Sequence, residues 1–146
     1  MRRFFLDTGY LILLEASDDQ HHQQAATHWQ SLSRSLPGLV TTSYVFDEVV
    51  TFFNSRNRHA KAVEIGKLLL ESPSVKLIHI DEPLFHEGWR YLIQHSDKLY
   101  SLTDCVSFVV MNRLRIRTIR TALTFDHHFV QAGFDLEPES QSAVLA

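Results

Sequence analysis

Strand-length apolar runs alternating with helical stripes predict an α/β fold, one domain with a mainly parallel central sheet flanked by helices. Three observations carry that prediction. Runs such as Phe4-Phe5-Leu6 and Ala122-Leu123-Thr124-Phe125 read as buried strands. Between such runs lie stretches with i, i+3, i+4, i+7 spacing, the clearest being Phe46, Val49, Val50 and Phe53. The 146 residues, 45% of them hydrophobic, suffice for one core and would be stretched to make two.

In chain order, Phe4–Leu6 is the first expected strand, and Asp7-Thr8-Gly9 a tight turn into a helical segment, Tyr10–Leu14. A polar stretch, Ser17–Gln24, precedes a helix over Ala25–Leu36 with Ala25, Trp29 and Leu32 on one face, stopped by Pro37-Gly38. Leu39–Thr42 is a second strand, and Ser43 is placed to cap a helix from Tyr44 to Arg56. A helix over His59–Leu70 follows, then a strand over Val75–Ile80. Asp81-Glu82-Pro83 starts a helix that is expected to turn Phe85, Trp89, Leu92 and Ile93 inward. Ser101-Leu102-Thr103-Asp104 opens a helix that is apolar almost all round and therefore central. Strands are expected over Thr118–Phe125 and Phe134–Leu136, and the domain spans residues 1–138, with 139–146 a loosely held tail.

Fourteen Lys and Arg against seventeen Asp and Glu give a net charge of −3, so global charge does not advertise a nucleic-acid partner. The single cysteine, Cys105, excludes an internal disulfide and a Cys-rich zinc site, and its apolar surroundings suggest a buried structural thiol. Asp7, Thr8 and Gly9 interrupt the apolar N-terminal run, which argues against a signal peptide. No run approaches the roughly 18 apolar residues of a membrane span. A cytoplasmic, non-membrane protein is the expectation.

Four carboxylates sit at the ends of apolar strands, or inside or at the start of apolar helices: Asp7, Glu48, Asp104 and Asp126. Each has an ordinary use as a helix cap or solvated acid. Together, in places where a lone charge would be costly, they suggest a shared ligand, and a hard divalent cation suits converging carboxylates. Glu48 is favoured over Asp47 because Tyr44 and Phe52, four residues to either side, suggest a half-buried face. Ser101, Thr103 and Ser107 surround Asp104 with hydroxyls that can orient a ligating carboxylate. No Ser-His-Asp or Cys-His arrangement and no Gly-rich phosphate loop is readable.

The ordered set Phe5-Leu6-Asp7-Thr8-Gly9, Thr42 to Val49 around Glu48, Ser101-Leu102-Thr103-Asp104-Cys105 and Leu123-Thr124-Phe125-Asp126-His127-His128-Phe129 resembles the PIN domain of VapC-type toxins. The resemblance spans Phe4 to about Leu136. It implies a metal-dependent endoribonuclease that hydrolyses single-stranded or structured RNA through metal-activated water. Asp7, Glu48 and Asp104 would be core ligands of Mg²⁺ or Mn²⁺, with Asp126 the fourth acid and Thr8 or Thr124 a helper. It also implies a homodimer and a small antitoxin that covers the acidic cavity. Gly9 stands where Ser or Asn is also common, and suits a tight turn.

Other readings stay open. A housekeeping PIN nuclease would share the chemistry without an antitoxin, and a non-catalytic binding module would share only the fold. A haloacid-dehalogenase phosphatase needs a second Asp where Gly9 stands, and is set aside. Arg113, Arg115, Arg117 and Arg120 form either a basic helix end or a phosphate-steering patch for RNA. Among nine histidines, His127-His128 beside Asp126 is the one pair placed near a candidate ligand, and its role is open. Trp29 and Trp89 fall in helical stripes and fit core or dimer contacts better than base stacking.

Overall fold

The computed structural model describes residues 3–16, 21–35, 38–114 and 119–138. The expected stop at Pro37, Arg115 and Arg117 of the basic cluster, and the tail 139–146 lie outside them. Among the described residues the order is β1 (Arg3–Leu6), α1 (Thr8–Glu15), α2 (His22–Ser33), β2 (Gly38–Thr42), α3 (Ser43–Asn54), α4 (His59–Glu71) and β3 (Val75–Ile78). Then come α5 (Glu82–Gln94), α6 (Leu102–Leu114), β4 (Thr121–Leu123), α7 (His128–Gln131) and β5 (Asp135–Glu137). The five strands form one sheet in the order β3-β2-β1-β4-β5, and every pairing is parallel. The α/β expectation therefore holds, and the sheet is parallel throughout. Among the described residues, no helix is long and apolar enough to cross a membrane.

β1 is central because Phe4, Phe5 and Leu6 are all apolar and can be buried on both faces. The chain winds outward from β1 through β2 and β3, then returns to the other side of β1 for β4 and β5. The winding reverses between β1 and β4, and the crevice beyond their carboxyl ends is where open parallel sheets bind ligands. Phe5, Leu123, Phe108 and Phe129 fill the core beneath that crevice. Residues Asp104 to Met111 of α6 are buried without interruption, so the predicted central helix is central.

Several local expectations change in three dimensions. The cap of α3 is Thr42, whose hydroxyl accepts from the Val45 amide at 3.2 Å; Ser43 instead accepts from the Ile80 amide at 2.9 Å. The buried stripe of α3 is Val45, Val49 and Phe53, with Phe46 and Val50 only half covered. Gly9 lies inside α1 with open space around it and an ordinary φ, so it is not needed for a tight turn. His21 and His22 cap and begin α2, and the His22 ring bonds to the Leu13 carbonyl at 2.9 Å.

The largest correction concerns α5. Its inward residues are Leu84 and Gly88, with Tyr91 and Leu92 partly covered, while Phe85, Trp89 and Ile93 are 39%, 48% and 54% exposed. A Cβ on Gly88 would meet Val106 Cγ2 at 2.5 Å, so α5 presses on α6 at the one position without a side chain. That contact rotates the apolar stripe Phe85, Trp89 and Ile93 outward. A second tie crosses the layers. The Tyr10 hydroxyl lies 2.8 Å from His28 Nδ1, and His28 Nε2 lies 3.0 Å from Glu137 Oε2, joining α1, α2 and β5.

Candidate active site

A cleft of about 430 Å³ opens at the β1/β4 crevice, lined by Asp7, Thr8, Gly9, Glu48, Leu99, Ser101, Asp104, Thr124, Phe125, Asp126 and His128. All four acids expected from the sequence therefore line one space. They arrive by four routes: the end of β1, the second turn of α3, the first turn of α6, and the loop after β4.

Asp7 forms the floor. Its amide donates to the Leu123 carbonyl at 3.1 Å, which extends the β1/β4 ladder and carries the carboxyl to the sheet edge. It precedes α1, but its side chain makes no capping bond, so the capping reading falls. Instead Thr124 Oγ1 donates to Asp7 Oδ2 at 2.7 Å and accepts from the Asp126 amide at 3.0 Å. Thr124 thus positions both strand-end acids with one hydroxyl. Burial pushes the Asp7 carboxyl up to about 7, against the pull of the Thr124 bond and a Thr8 backbone bond, with Asp104 and Asp126 adding to the rise.

Asp104 is buried in the first turn of α6. It exchanges bonds with Ser101: the Asp104 amide donates to Ser101 Oγ at 3.0 Å, and the Ser101 amide donates to Asp104 Oδ2 at 3.2 Å. This is the reciprocal geometry of a capping box, and it fixes the carboxylate as well as the helix end. Ser107 serves the helix instead, donating to the Thr103 carbonyl at 2.8 Å. Thr103 contributes that carbonyl; of the three expected hydroxyls, only that of Ser101 bonds to Asp104.

Glu48 is exposed, contrary to the half-buried face expected. With Val45, Val49 and Phe53 turned inward, position 48 falls one residue off the stripe and onto the rim of the cleft. Thr8 Oγ1 donates to Glu48 Oε1 at 2.7 Å, so the hydroxyl next to Asp7 holds the rim acid.

The side chain that sequence reasoning left without a role is His128. Its amide donates to Asp126 Oδ1 at 2.9 Å, and its Nδ1 lies 3.0 Å from Asp104 Oδ2 and 3.4 Å from Asp126 Oδ1. His127 is exposed at the N-cap of α7 and does not line the cleft. Leu99, 90% exposed, and Phe125 were also missed; a lone apolar residue in a loop carries no local signal. The basic cluster does not reach the site as far as it is described. Arg113 is about 13 Å along α6 from Asp104 and is paired with Glu87. Arg120 precedes β4, at the strand end opposite the cleft.

The donor set fits a divalent cation. Asp104, Asp126 and His128 each offer one atom, and these atoms lie within 4.8 Å of one another. Hard carboxylate oxygens predominate, and the mutual repulsion felt at Asp7 is what a cation would relieve. Cys105, buried nearby in α6, has its thiol pushed up to about 11 by burial and takes no part.

Comparison with known proteins agrees with this architecture. The PIN domain family model matches residues 4–135. The 23S rRNA-specific endonuclease VapC20 of Mycobacterium tuberculosis, from two strains, is 32% identical over 136 residues, covering 92% of this chain and 98% of that protein. A crystal structure of M. tuberculosis VapC20, described as a sarcin–ricin loop cleaving toxin, superposes with a TM-score of 0.78 and 31% identity, over 90% of this chain and 95% of that one. With a parallel sheet in this order, acids gathered at the β1/β4 crevice and a family match over nearly its whole length, the chain belongs to the PIN domain family.

Proposed function

We propose that this protein is a metal-dependent endoribonuclease, the toxin of a type II toxin–antitoxin pair, acting in the cytoplasm on RNA. The observation that carries the reading is the convergence of Asp7, Glu48, Asp104 and Asp126 on one cleft, each with a carboxylate oxygen held by a protein donor. Holding one oxygen of each acid leaves the other to serve a ligand without losing the side chain's orientation.

Mg²⁺ is the proposed ion, with Mn²⁺ able to substitute, since both take oxygen donors. Bound there, it would polarise the scissile phosphodiester and activate a water molecule. The chain's own residues do the rest. Asp104 and Asp126 supply charge, Asp7 closes the floor, and Glu48 reaches in from the rim. Thr8, Thr124 and Ser101 keep these groups from reorganising during the reaction. Leu99 and Phe125 offer apolar surface beside the acids, against which a nucleotide base or ribose can lie.

The intact acid set speaks against a non-catalytic module. The likeness to VapC20 favours a toxin over a housekeeping nuclease and makes a loop of 23S rRNA the first substrate to try. A small antitoxin and a homodimer complete the proposal; an acidic cleft is a natural receptor for a basic antitoxin side chain. The test is cleavage of labelled 23S rRNA and of a mixed single-stranded pool by the purified protein, with Mg²⁺, Mn²⁺ or EDTA. Metal-dependent cutting that disappears in Asp7→Asn is the expected result. Cutting that survives EDTA and Asp7→Asn would sink the reading.

A further inference from the structure

We infer that His128 is a positioning residue that clamps Asp104 to Asp126, so that the two acids, far apart in sequence, act as one ligand pair. The inference rests on the metal-site reading above and goes beyond it by assigning a non-acidic residue to the site.

Three contacts fix the imidazole. The His128 backbone amide is bonded to Asp126 Oδ1 at 2.9 Å. The ring stands edge-to-face against Tyr100, with centroids 5.3 Å apart. The next residue, Phe129, is fully buried against Phe5 and Phe108, so the start of α7 cannot swing away from the cleft. Held this way, Nδ1 faces two oxygens, Asp104 Oδ2 at 3.0 Å and Asp126 Oδ1 at 3.4 Å. In the tautomer that carries its proton on Nδ1, the ring donates to these two oxygens.

The pattern of occupied oxygens says what the clamp does. Asp104 Oδ2 already accepts from the Ser101 amide, and Asp126 Oδ1 from the His128 amide. The ring therefore gathers the two oxygens that are already held. Asp104 Oδ1 and Asp126 Oδ2 are the atoms left for a cation. In that tautomer Nδ1 itself cannot ligate, so through this nitrogen His128 acts on the site by way of the acids.

Mn²⁺ titration followed by electron paramagnetic resonance tests this on the wild type, His128→Asn and His128→Leu, with circular dichroism confirming the fold. Asn keeps an amide donor close to the position of Nδ1, and Leu removes it. The expected result is Mn²⁺ affinity weakened roughly 10- to 100-fold in His128→Leu, restored to within about threefold in His128→Asn. The wild-type Mn²⁺ spectrum should show no coupling to a histidine nitrogen. Equal affinity in wild type and His128→Leu would overturn the clamp, as would an Asn variant as weak as Leu. Nitrogen coupling in the wild type would make His128 a ligand and overturn it too, whether or not the Leu variant folds. If the wild type bound no Mn²⁺, the metal-site reading would fall and take the clamp with it.

Discussion

The floor and the rim of the cleft use the same functional group under opposite conditions. At the floor, Asp7 is 6% exposed, sits on the end of a central strand, and shares Thr124 with Asp126. At the rim, Glu48 is exposed on α3, with Thr8 as its hydroxyl partner. Both carboxylates accept from a threonine at 2.7 Å, but Asp7 is buried where Glu48 is exposed. Burial pushes the Asp7 carboxyl up to about 7 despite its hydrogen bond. Water stabilises the charge on Glu48, whereas the charge on Asp7 is stored at a cost until a cation offsets it. On the proposed metal-site reading, the floor would supply binding energy for the ion and the rim would adjust it.

The comparison is broken most directly by removing each charge. Asp7→Asn should reduce RNA cleavage by roughly 10³-fold or more, the several kcal/mol of charge stabilisation that a metal site supplies. Glu48→Gln should cost only about 10- to 100-fold, as a solvated acid is more easily replaced by water. Equal losses, measured as kcat/KM on the same RNA, would erase the distinction between floor and rim.

Stability against pH sharpens it next. Without metal, Asp7 is raised from 3.8 to about 7, so the folded state holds this proton more tightly than the unfolded chain does. The folded protein then binds more protons between those two values, and stability falls as pH rises through that window, then levels above about 7. The fall is at most roughly 4 kcal/mol, at about 1.4 kcal/mol per pH unit of displacement. In EDTA, the wild type should lose more Tm than Asp7→Asn between pH 5 and pH 8, and the variant should be the more stable at pH 8. Parallel curves for the two proteins would show that the floor is not desolvated.

Smaller effects follow at the hydroxyls. Thr124→Val removes one of the hydrogen bonds to Asp7 and the partner of the Asp126 amide, at a cost of about 1–3 kcal/mol. Thr8→Val, at the exposed rim, should cost about 0.5 kcal/mol. Denaturant unfolding of the two variants checks the ratio, and a larger loss from Thr8 would reverse the assignment. Smallest of all is Gly9→Ala. Its Cβ enters open space within α1, so it should stabilise the helix by about 0.5 kcal/mol and leave cleavage within a few-fold. A large loss of activity there would mean that substrate passes closer to Gly9 than the cleft shape indicates.

Much of this architecture is legible along the chain because strands and helices are set by local periodicity. The non-alternating run Phe4-Phe5-Leu6 already marks a strand buried on both faces, and an acid at its end already marks the binding edge of a parallel sheet. The same logic finds Asp126 after β4 and Asp104 in the first turn of a helix buried all round. What local periodicity leaves undecided is the rotation of an element about its own axis. On α5, Leu84 and Gly88 compete with Phe85, Trp89 and Ile93, and hydrophobicity alone favours the aromatic stripe. The close approach of Gly88 to Val106 decides otherwise, because two helices meet most tightly where one lacks a side chain. On α3 the same kind of rotation turns Glu48 onto the rim.

The sequence by itself determined the elements, the four acids and the edge of the sheet where they gather, since each depends on residues a few positions apart. Only the tertiary structure decided which acid is dry and which is wet, which hydroxyl serves which carboxylate, and that His128 stands between Asp104 and Asp126. Those facts depend on distances between atoms 24 to 117 residues apart in the chain, which packing sets and spacing does not encode.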